Sequence, residues 1–124
     1  MTDAPGRRNV LVVEDDELTR EVVTLMLEGQ GYAVQEAGDG QEALDRLREG
    51  PRPGCILLDL RMPRMDGRQF RSRQRQDPAL AGVPVVVVSA EPELAAEAAS
   101  LGAAGYLQKP VRAEALLAAV RRHC

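Results

Sequence analysis

Groups that could carry out phosphoryl chemistry follow four apolar segments of this sequence. Glu14 and Asp15 come directly after a valine-rich run, and Asp59 closes a second apolar run. Ser89 ends the most β-branched segment, and Lys109 follows a short run further along. Carboxylates gathered in a partly desolvated cleft repel one another, so such a cluster needs a counter-charge.

A divalent cation is the natural counter-charge for this set of groups. Carboxylate oxygens, completed by a main-chain carbonyl and waters, suit Mg²⁺, whereas Zn²⁺ prefers His or Cys ligands. Mg²⁺ in turn attracts a phosphoryl group, and the Ser89 hydroxyl and the Lys109 ammonium would supply further donors to its oxygens. The residue types therefore indicate a site in which Asp59 is the nucleophile toward phosphorus.

Five strand–helix units are predicted to position these groups. The predicted strands are 9–13, 32–37, 55–59, 84–89 and 105–108, with a helix after each. Strands that alternate with helices through short connections form a parallel sheet covered on both faces, a doubly wound α/β fold. Such sheets bind ligands at the carboxyl ends of their strands, where the four polar groups would converge. The second strand ends without such a group, which favours the edge of the sheet.

The helices are predicted from their apolar spacing. In the first helix, Leu18, Val22, Leu25 and Met26 recur at helical spacing and are expected to face the core. The others are predicted to open at Asp39-Gly40, to run from Gly67 to about Gln76 and from Pro92 to Leu101, and to carry Leu116, Leu117 and Val120. The third helix has Phe70 as its one obvious anchor. Arg71 and Gln74 are expected either to expose their polar heads or to leave this helix loosely packed.

Composition favours a single domain that stays in the cytoplasm. The chain has 124 residues, 44% of them hydrophobic and 28% charged, with a net charge of -3 that argues against a nucleic-acid partner. The start of the chain lacks the apolar run of a signal peptide, and the longest apolar stretch is far below the ~20 residues of a membrane span. Residues 1–8 are expected to be a tail and 9–124 the domain. Cys55 and Cys124 have no metal-ligand spacing, and the expectation is that they form no disulfide framework, with Cys55 filling the core.

Four segments together resemble the receiver domains of two-component response regulators, of the single-domain chemotaxis type, over nearly the whole chain. They are Val12-Val13-Glu14-Asp15-Asp16, Leu57-Leu58-Asp59-Leu60-Arg61-Met62-Pro63-Arg64-Met65-Asp66-Gly67, Ser89-Ala90 and Gly105-Tyr106-Leu107-Gln108-Lys109-Pro110. Any one of these would be weak evidence, but four in this order and at these spacings are specific. The resemblance implies a flavodoxin-like (βα)5 fold with strand order 2-1-3-4-5.

The resemblance also implies roles for individual residues. Asp59 would be the phosphoacceptor, and the Mg²⁺ site would comprise Glu14, Asp15, Asp59 and the main-chain carbonyl of Arg61. Ser89 and Lys109 would contact the phosphoryl group. Tyr106 would be the switch aromatic that turns inward with Ser89 and remodels the face of helix four, strand five and helix five. In the family, the positions of Arg61 and Glu91 tune how fast the phosphoryl group is lost.

The same resemblance implies partners. Receivers take phosphate from a phosphohistidine, and His123, the single histidine, lies in the last helical turn, so the donor would be a separate histidine kinase or phosphotransfer protein. A downstream protein would read the output face. With Met1 and the helix-ending residues read as natural ends, a stand-alone regulator or a phosphate shuttle is the expected role. The activity would amount to self-phosphorylation and self-dephosphorylation at most, not that of an enzyme.

Other readings stay open beside this one. Glu14, Asp15 and Asp16 could form only an acidic cap of the first helix, Ser89 could cap the fourth helix, and Tyr106 could be a half-buried strand residue without a switching role. A degenerate receiver that binds proteins without phosphorylation is the alternative function. A phosphatase of the Asp-x-Asp class is disfavoured because Arg61 stands at the second acid. A flavin or dinucleotide carrier is disfavoured because the first loop is acidic.

Overall fold

Strands and helices alternate throughout residues 9–124, the part of the chain that the computed structural model describes. The elements are β1 (Asn9–Val13), α1 (Glu17–Glu28), β2 (Ala33–Ala37), α2 (Gly40–Glu49), β3 (Cys55–Asp59), α3 (Gly67–Gln76), β4 (Val85–Ser89), α4 (Leu94–Ser100), β5 (Gly105–Gln108) and α5 (Ala113–His123). The expected tail, 1–8, lies outside the described residues. Over the same range, no helix is both long and apolar enough to cross a membrane.

All neighbouring strands pair in parallel, in the order β2-β1-β3-β4-β5. The predicted doubly wound, flavodoxin-like fold is confirmed, with β2 at an edge and β3 in the middle. The register matches Val13 with Leu58 and Asp59 with Val88, so the polar residues that follow β1 and end β3 lie at the same edge of the sheet. The strand order thus brings the first loop, Asp59 and the end of β4 into neighbouring positions.

Alternate residues of the strands build two apolar layers, one on each face of the sheet. Leu11, Ile56 and Leu58 belong to the layer that Phe70 of α3 joins, together with side chains of α2 and α4. The opposite layer, under α1 and α5, contains neighbouring strand residues with Leu27, Leu116 and Val120. A fully buried aliphatic side chain stabilises the fold by roughly 1.5–3 kcal/mol. Continuous apolar strands are therefore explained by burial on both faces.

The prediction that Leu18, Val22, Leu25 and Met26 of α1 face the core is wrong for most of these residues. Leu18, Val22 and Leu25 are 69%, 43% and 61% exposed, whereas Leu27 is fully buried and Val23 packs beside it. Val23 and Leu27 are also four residues apart, so the helix carries apolar side chains on two faces. Packing against the sheet selects the Val23–Leu27 face and leaves the other in solvent.

The prediction for the two polar residues of α3 is also wrong, because neither exposes its head and the helix is not loose. Gln74 has no exposed surface and donates to the carbonyls of Leu80 and Val83, both at 3.0 Å. Arg71 is 8% exposed, donates to Gln74 Oε1 at 2.8 Å, and donates to the carbonyls of residues 101–102, both at 2.9 Å. A buried polar group that has hydrogen-bond partners costs little free energy. The hydrogen bonds of Arg71 and Gln74 therefore hold α3 in place, as apolar contacts of leucines do in other helices.

The two cysteines correct another expectation, since Cys55 and Cys124 form a disulfide. Cys55 is fully buried, as expected of a core residue. The partner lies 69 residues away along the chain, with a Cα–Cα distance of 4.9 Å. The sequence carries no local signal of this pairing, which exists because the end of α5 returns to the start of β3.

Candidate functional site

Three carboxylates gather at the carboxyl edge of the sheet. Glu14 and Asp15 come from the loop after β1, Asp59 ends β3, and one ligand oxygen from each lies within 4.8 Å of the others. Glu14 and Asp59 are each 5% exposed, whereas Asp15 faces solvent. The convergence expected from the strand ends is therefore present, and this donor set consists of oxygen alone, as Mg²⁺ prefers.

The three acidic residues that follow β1 have two roles: Glu14 and Asp15 belong to the group of carboxylates, and Asp16 caps α1. Asp16 is the N-cap residue and accepts a hydrogen bond from the Thr19 amide at 3.0 Å. Glu14 and Asp15 precede the cap, so a purely capping role is confirmed for Asp16 alone. The carbonyl of Glu14 accepts from Arg20 Nη1 at 2.7 Å, which anchors the loop to α1. Arg20 was not expected at the site, and a spacing of six residues from Glu14 gives no sequence signal for this contact.

Lys109 provides a cation to the two buried acids. Its ammonium donates to Glu14 Oε1 at 2.8 Å and to Asp59 Oδ2 at 3.3 Å. Burial by itself lowers the pKa of Lys109, but the hydrogen bond to Glu14 and the charge of Asp59 outweigh it and raise this pKa above its ordinary value. Burial and then the hydrogen-bonded Asp59 raise the pKa of Glu14. Two carboxylates thus share one ammonium.

The connection from β3 to α3 holds Asp59 in place. The Arg61 amide donates to Asp59 Oδ1 at 3.2 Å, and the Gly67 amide donates to the Leu60 carbonyl at 3.1 Å. A Cβ on Gly67 would meet the Asp59 carbonyl oxygen and come within 2.8 Å of Leu60 Cα, so the start of α3 approaches this backbone as only glycine allows. Asp66 caps α3 in a capping box with Gln69.

Ser89 lies at the end of β4, is 3% exposed, and belongs to the same cleft. Its hydroxyl oxygen accepts from the Glu91 amide at 3.0 Å. Helix α4 begins at Leu94, and its N-cap residue Glu93 makes no side-chain capping bond, so the reading of Ser89 as the cap of α4 is wrong. The hydroxyl is held at the cleft by a local turn instead.

These groups line an open cleft of ≈ 390 Å³. Its walls are Glu14, Asp15, Asp16, Asp59, Arg61, Ser89, Ala90, Glu91, Pro92 and Lys109. Of the seven residues proposed from the sequence, six are thus brought together, and Tyr106 is not among them. A small anion or phosphoryl group could enter beside both the ammonium and the hydroxyl.

Residues 10–121 match the family model of the response regulator receiver domain. The chain belongs to this family. Receivers are phosphoacceptors of two-component signalling and not classical enzymes. The family typically binds Mg²⁺ at an acidic pocket, and this chain has an acidic cluster of Glu14, Asp15 and Asp59.

Curated relatives of this receiver are longer proteins. The DNA-binding response regulator MtrA of Mycobacterium tuberculosis (strain ATCC 25618 / H37Rv) is 38% identical over 117 residues, covering 93% of this chain and 50% of that protein. The positive alginate biosynthesis regulatory protein of Pseudomonas aeruginosa is 41% identical over 119 residues, covering 92% of this chain and 46% of that protein. The receiver therefore spans about half the length of the curated relatives it matches.

Solved structures share its fold over almost the full chain. The chemotaxis response regulator CheY4 of Vibrio cholerae has a TM-score of 0.85 at 34% identity, covering 94% of this chain and 98% of that one. The Francisella response regulator 1452 receiver domain has a TM-score of 0.83 at 28% identity, covering 93% and 94%.

An ion-pair network forms the rim of the receiver's cleft. Arg61 Nε contacts Glu91 Oε1 at 2.8 Å, and Arg68 Nη2 contacts both Glu91 Oε2 at 3.1 Å and Glu97 Oε1 at 2.5 Å. The hydrogen bond to Glu97 raises the pKa of Arg68. Arg68 was not expected at the rim, because its partners are 23 and 29 residues away and leave no local signal.

Tyr106 of the receiver lies apart from the acidic cleft. It is 50% exposed and lines a groove between β5 and α5 with Ala119 and His123. The ring is thus turned outward. Its role as a switch residue remains a prediction.

Proposed function

We propose that this receiver accepts a phosphoryl group on Asp59 and acts as a phosphorylation switch of a two-component or phosphorelay system in the cytoplasm. The observation that carries the proposal is the strand-end carboxylate held 3.3 Å from a lysine ammonium beside two further acids. A nucleophile for phosphorus needs an accessible oxygen and nearby positive charge, and both meet in the cleft.

A Mg²⁺ ion fits the donor set of the cleft. Asp15, Asp59 and the main-chain carbonyl of Arg61 would hold the ion, with Glu14 completing the acidic site. The support is the group of three carboxylates within 4.8 Å, which contains neither His nor Cys. When bound, the ion would neutralise charge on the phosphoryl oxygens.

Transfer would proceed by attack of an Asp59 carboxylate oxygen on phosphorus. The bond from phosphorus to the donor's imidazole nitrogen breaks, and the imidazole leaves with its electron pair. The Lys109 ammonium and the Ser89 hydroxyl would then contact the phosphoryl oxygens. Positioning and charge neutralisation of this kind account for most of the catalysis in phosphoryl transfer.

The donor would be a histidine kinase or a histidine phosphotransfer protein. His123, the single histidine of the sequence, packs in the groove beside β5, outside the acidic cleft. The exposed apolar face of α1 continues into a groove of ≈ 500 Å³ that Leu18, Val22 and Pro110 line and that reaches Lys109. A donor helix docked on this groove would present its phosphohistidine to the cleft.

The output would be a contact with a downstream protein. When Ser89 moves toward the phosphoryl group, Tyr106 would turn inward and change the surface formed by α4, β5 and α5. The half-exposed ring of Tyr106 is compatible with an outward resting position. The net charge of -3 disfavours a direct nucleic-acid contact by this chain.

The test is phosphorylation by a small donor such as acetyl phosphate with Mg²⁺, read as intact mass. One phosphoryl increment is expected, and it should be absent from Asp59→Asn and from samples that contain a chelator. Asp45→Asn is the matched control, since Asp45 is an exposed residue of α2 away from the cleft. An adduct that persists in Asp59→Asn would assign the acceptor elsewhere. No adduct in the unmodified chain would favour a receiver that binds proteins without phosphorylation.

A further inference from the structure

The disulfide joins a buried position to a partly exposed one. Cys55 opens β3 and has no exposed surface, whereas Cys124 follows α5 and is partly open to solvent. Their Cα atoms are 4.9 Å apart, within the span that a disulfide bridges. A reagent in solution would therefore reach Cys124 first.

The pair lies at the end of β3 opposite the acidic cleft. Cys55 is the first residue of this strand and Asp59 the last. The disulfide connects the last turn of α5 to the middle strand of the sheet, while Leu116 and Val120 hold the same helix through apolar contacts. The side of α5 that lines the groove beside Tyr106 therefore belongs to a helix tied at its C-terminal end.

We propose that Cys55 and Cys124 are a reversible thiol–disulfide modification site, which oxidation by a low-molecular-weight disulfide closes. This inference rests on the proposed cytoplasmic location: lasting disulfides are rare in reducing compartments, so a pair close enough to bridge there would open and close with the redox state of its surroundings. Closing the pair fixes the C-terminal turn of α5 to β3, and reduction releases it. The site is independent of the phosphoacceptor chemistry at the other end of the sheet.

Oxidation of the pair by thiol–disulfide exchange takes two steps. The Cys124 thiolate attacks one sulfur of glutathione disulfide, forms a mixed disulfide and releases one glutathione thiolate. Cys55 then loses its proton, attacks the Cys124 sulfur and releases the second glutathione. Two protein thiols are oxidised, and one glutathione disulfide is reduced to two glutathione molecules.

The first experiment measures thiol occupancy of the whole chain across glutathione buffers of increasing oxidised fraction, by acid quench, alkylation and intact mass. A single transition is expected, from two alkylatable thiols after denaturation to none, with a mass two hydrogens lower and no bound glutathione. Cys55→Ala should stop at a mixed disulfide on Cys124. Cys124→Ser, a near-isosteric change at the partly exposed cysteine, should show no disulfide and no labelling of Cys55 in the native state. Accumulation of mixed disulfide in the unmodified chain would overturn the proposal.

Hydrogen exchange tests whether the disulfide restrains the last turn of α5 or leaves its dynamics unchanged. Amides in the last turn of α5 are expected to exchange several-fold more slowly in the oxidised protein than in the reduced protein, whereas amides of α3 should exchange equally in both. The Cys124→Ser variant should match the reduced protein in both buffers. Equal exchange of the α5 amides in both redox states would refute the proposal that the disulfide fixes this turn to β3. Neither experiment uses phosphorylation, so failure here leaves the function of Asp59 untouched.

Discussion

Asp59 and Glu14 are nearly buried and share the one ammonium of Lys109. Burial and the neighbouring Asp59 raise the pKa of Glu14, which means that its ionised form is disfavoured in the folded protein. An acid with a raised pKa contributes stability below its unfolded value of 4.5, and this contribution is lost as the pH rises through the folded pKa. At neutral pH the ionised Glu14 is therefore disfavoured by the fold, and a cation bound beside it would relieve this cost.

Removing the charge of Asp59 should stabilise the metal-free protein. The amide of Asp59→Asn can still accept from the Arg61 amide and can donate to Glu14, while Lys109 keeps its contact with Glu14. We expect a gain of about 0.5–2 kcal/mol in the free energy of unfolding at pH 7, measured by urea denaturation in chelator. Asp45→Asn should leave the value unchanged. A loss of stability in Asp59→Asn would contradict the repulsion argument.

Asp39 has the opposite pH dependence. It caps α2, and the hydrogen bond from the Glu42 amide, followed by that from the Arg64 side chain, lowers the pKa of Asp39 below 3.8. Its stabilising contribution is full above pH 3.8 and is lost as the pH falls through the depressed pKa. We expect Asp39→Asn to cost about 0.5–1 kcal/mol near neutral pH, since the Arg64 pair is solvent-exposed on one side.

The check on Asp39 is a pair of unfolding curves for each protein, one near pH 6 and one well below pH 3.8. The difference between the parent chain and Asp39→Asn should shrink toward zero at the acidic point. A difference that stays constant over this range would mean that the carboxylate charge contributes nothing to the cap.

At the scale of elements, the sequence predicts some parts of this fold well and others not at all. The bounds of β1, β3 and β5 agree with the prediction because each run is too short for a helix and its end is marked by a polar residue. The first helix was misread because Leu18–Leu25 and Val23–Leu27 are both apolar at helical spacing, and the tertiary contacts that choose between them are not local. Gln74 was misread because its carbonyl partners lie in the loop beyond the helix.

The candidate site was largely predictable for a topological reason. Parallel strands end at one edge of a sheet, so the polar residue after each apolar run already indicates Glu14, Asp59 and Lys109. Contacts between side chains far apart in sequence were not predictable. Arg68 reaches Glu91 and Glu97 across the mouth of the cleft only after α3 and α4 have packed.

The buried amide of α3 gives a direct test of this element. Gln74→Leu would remove both hydrogen bonds to loop carbonyls and the acceptor of Arg71, leaving buried polar groups without partners. We expect a loss of roughly 2–4 kcal/mol in the free energy of unfolding, although leucine is the more apolar residue. Gln76→Leu is the matched control, since Gln76 is exposed one half-turn away, and should change the value by less than about 0.5 kcal/mol. Equal effects of the two changes would show that the Gln74 bonds do not matter.

Over the whole molecule, the two ends of the sheet carry different constraints. The carboxyl end holds the acidic cleft, where burial and the neighbouring Asp59 disfavour the ionised form of Glu14. The amino end of β3 is tied to the end of α5 through Cys55 and Cys124. The acidic cleft and the disulfide thus lie at opposite ends of the sheet, so the residues that cross-link the fold are separate from those proposed to react.

The cross-link should therefore account for a measurable share of the global stability. It closes a sequence separation of 69 residues, and the loss of unfolded-chain entropy for a loop of this length corresponds to ~4 kcal/mol. We expect reduction of the unmodified chain to lower the urea midpoint of unfolding accordingly, with native secondary structure retained at zero denaturant. Cys124→Ser should give the same low midpoint with and without reductant. An unchanged midpoint in a sample that contains two free thiols per molecule would mean that the packing of α5 through Leu116 and Val120 is already sufficient, and that the disulfide adds nothing to the fold.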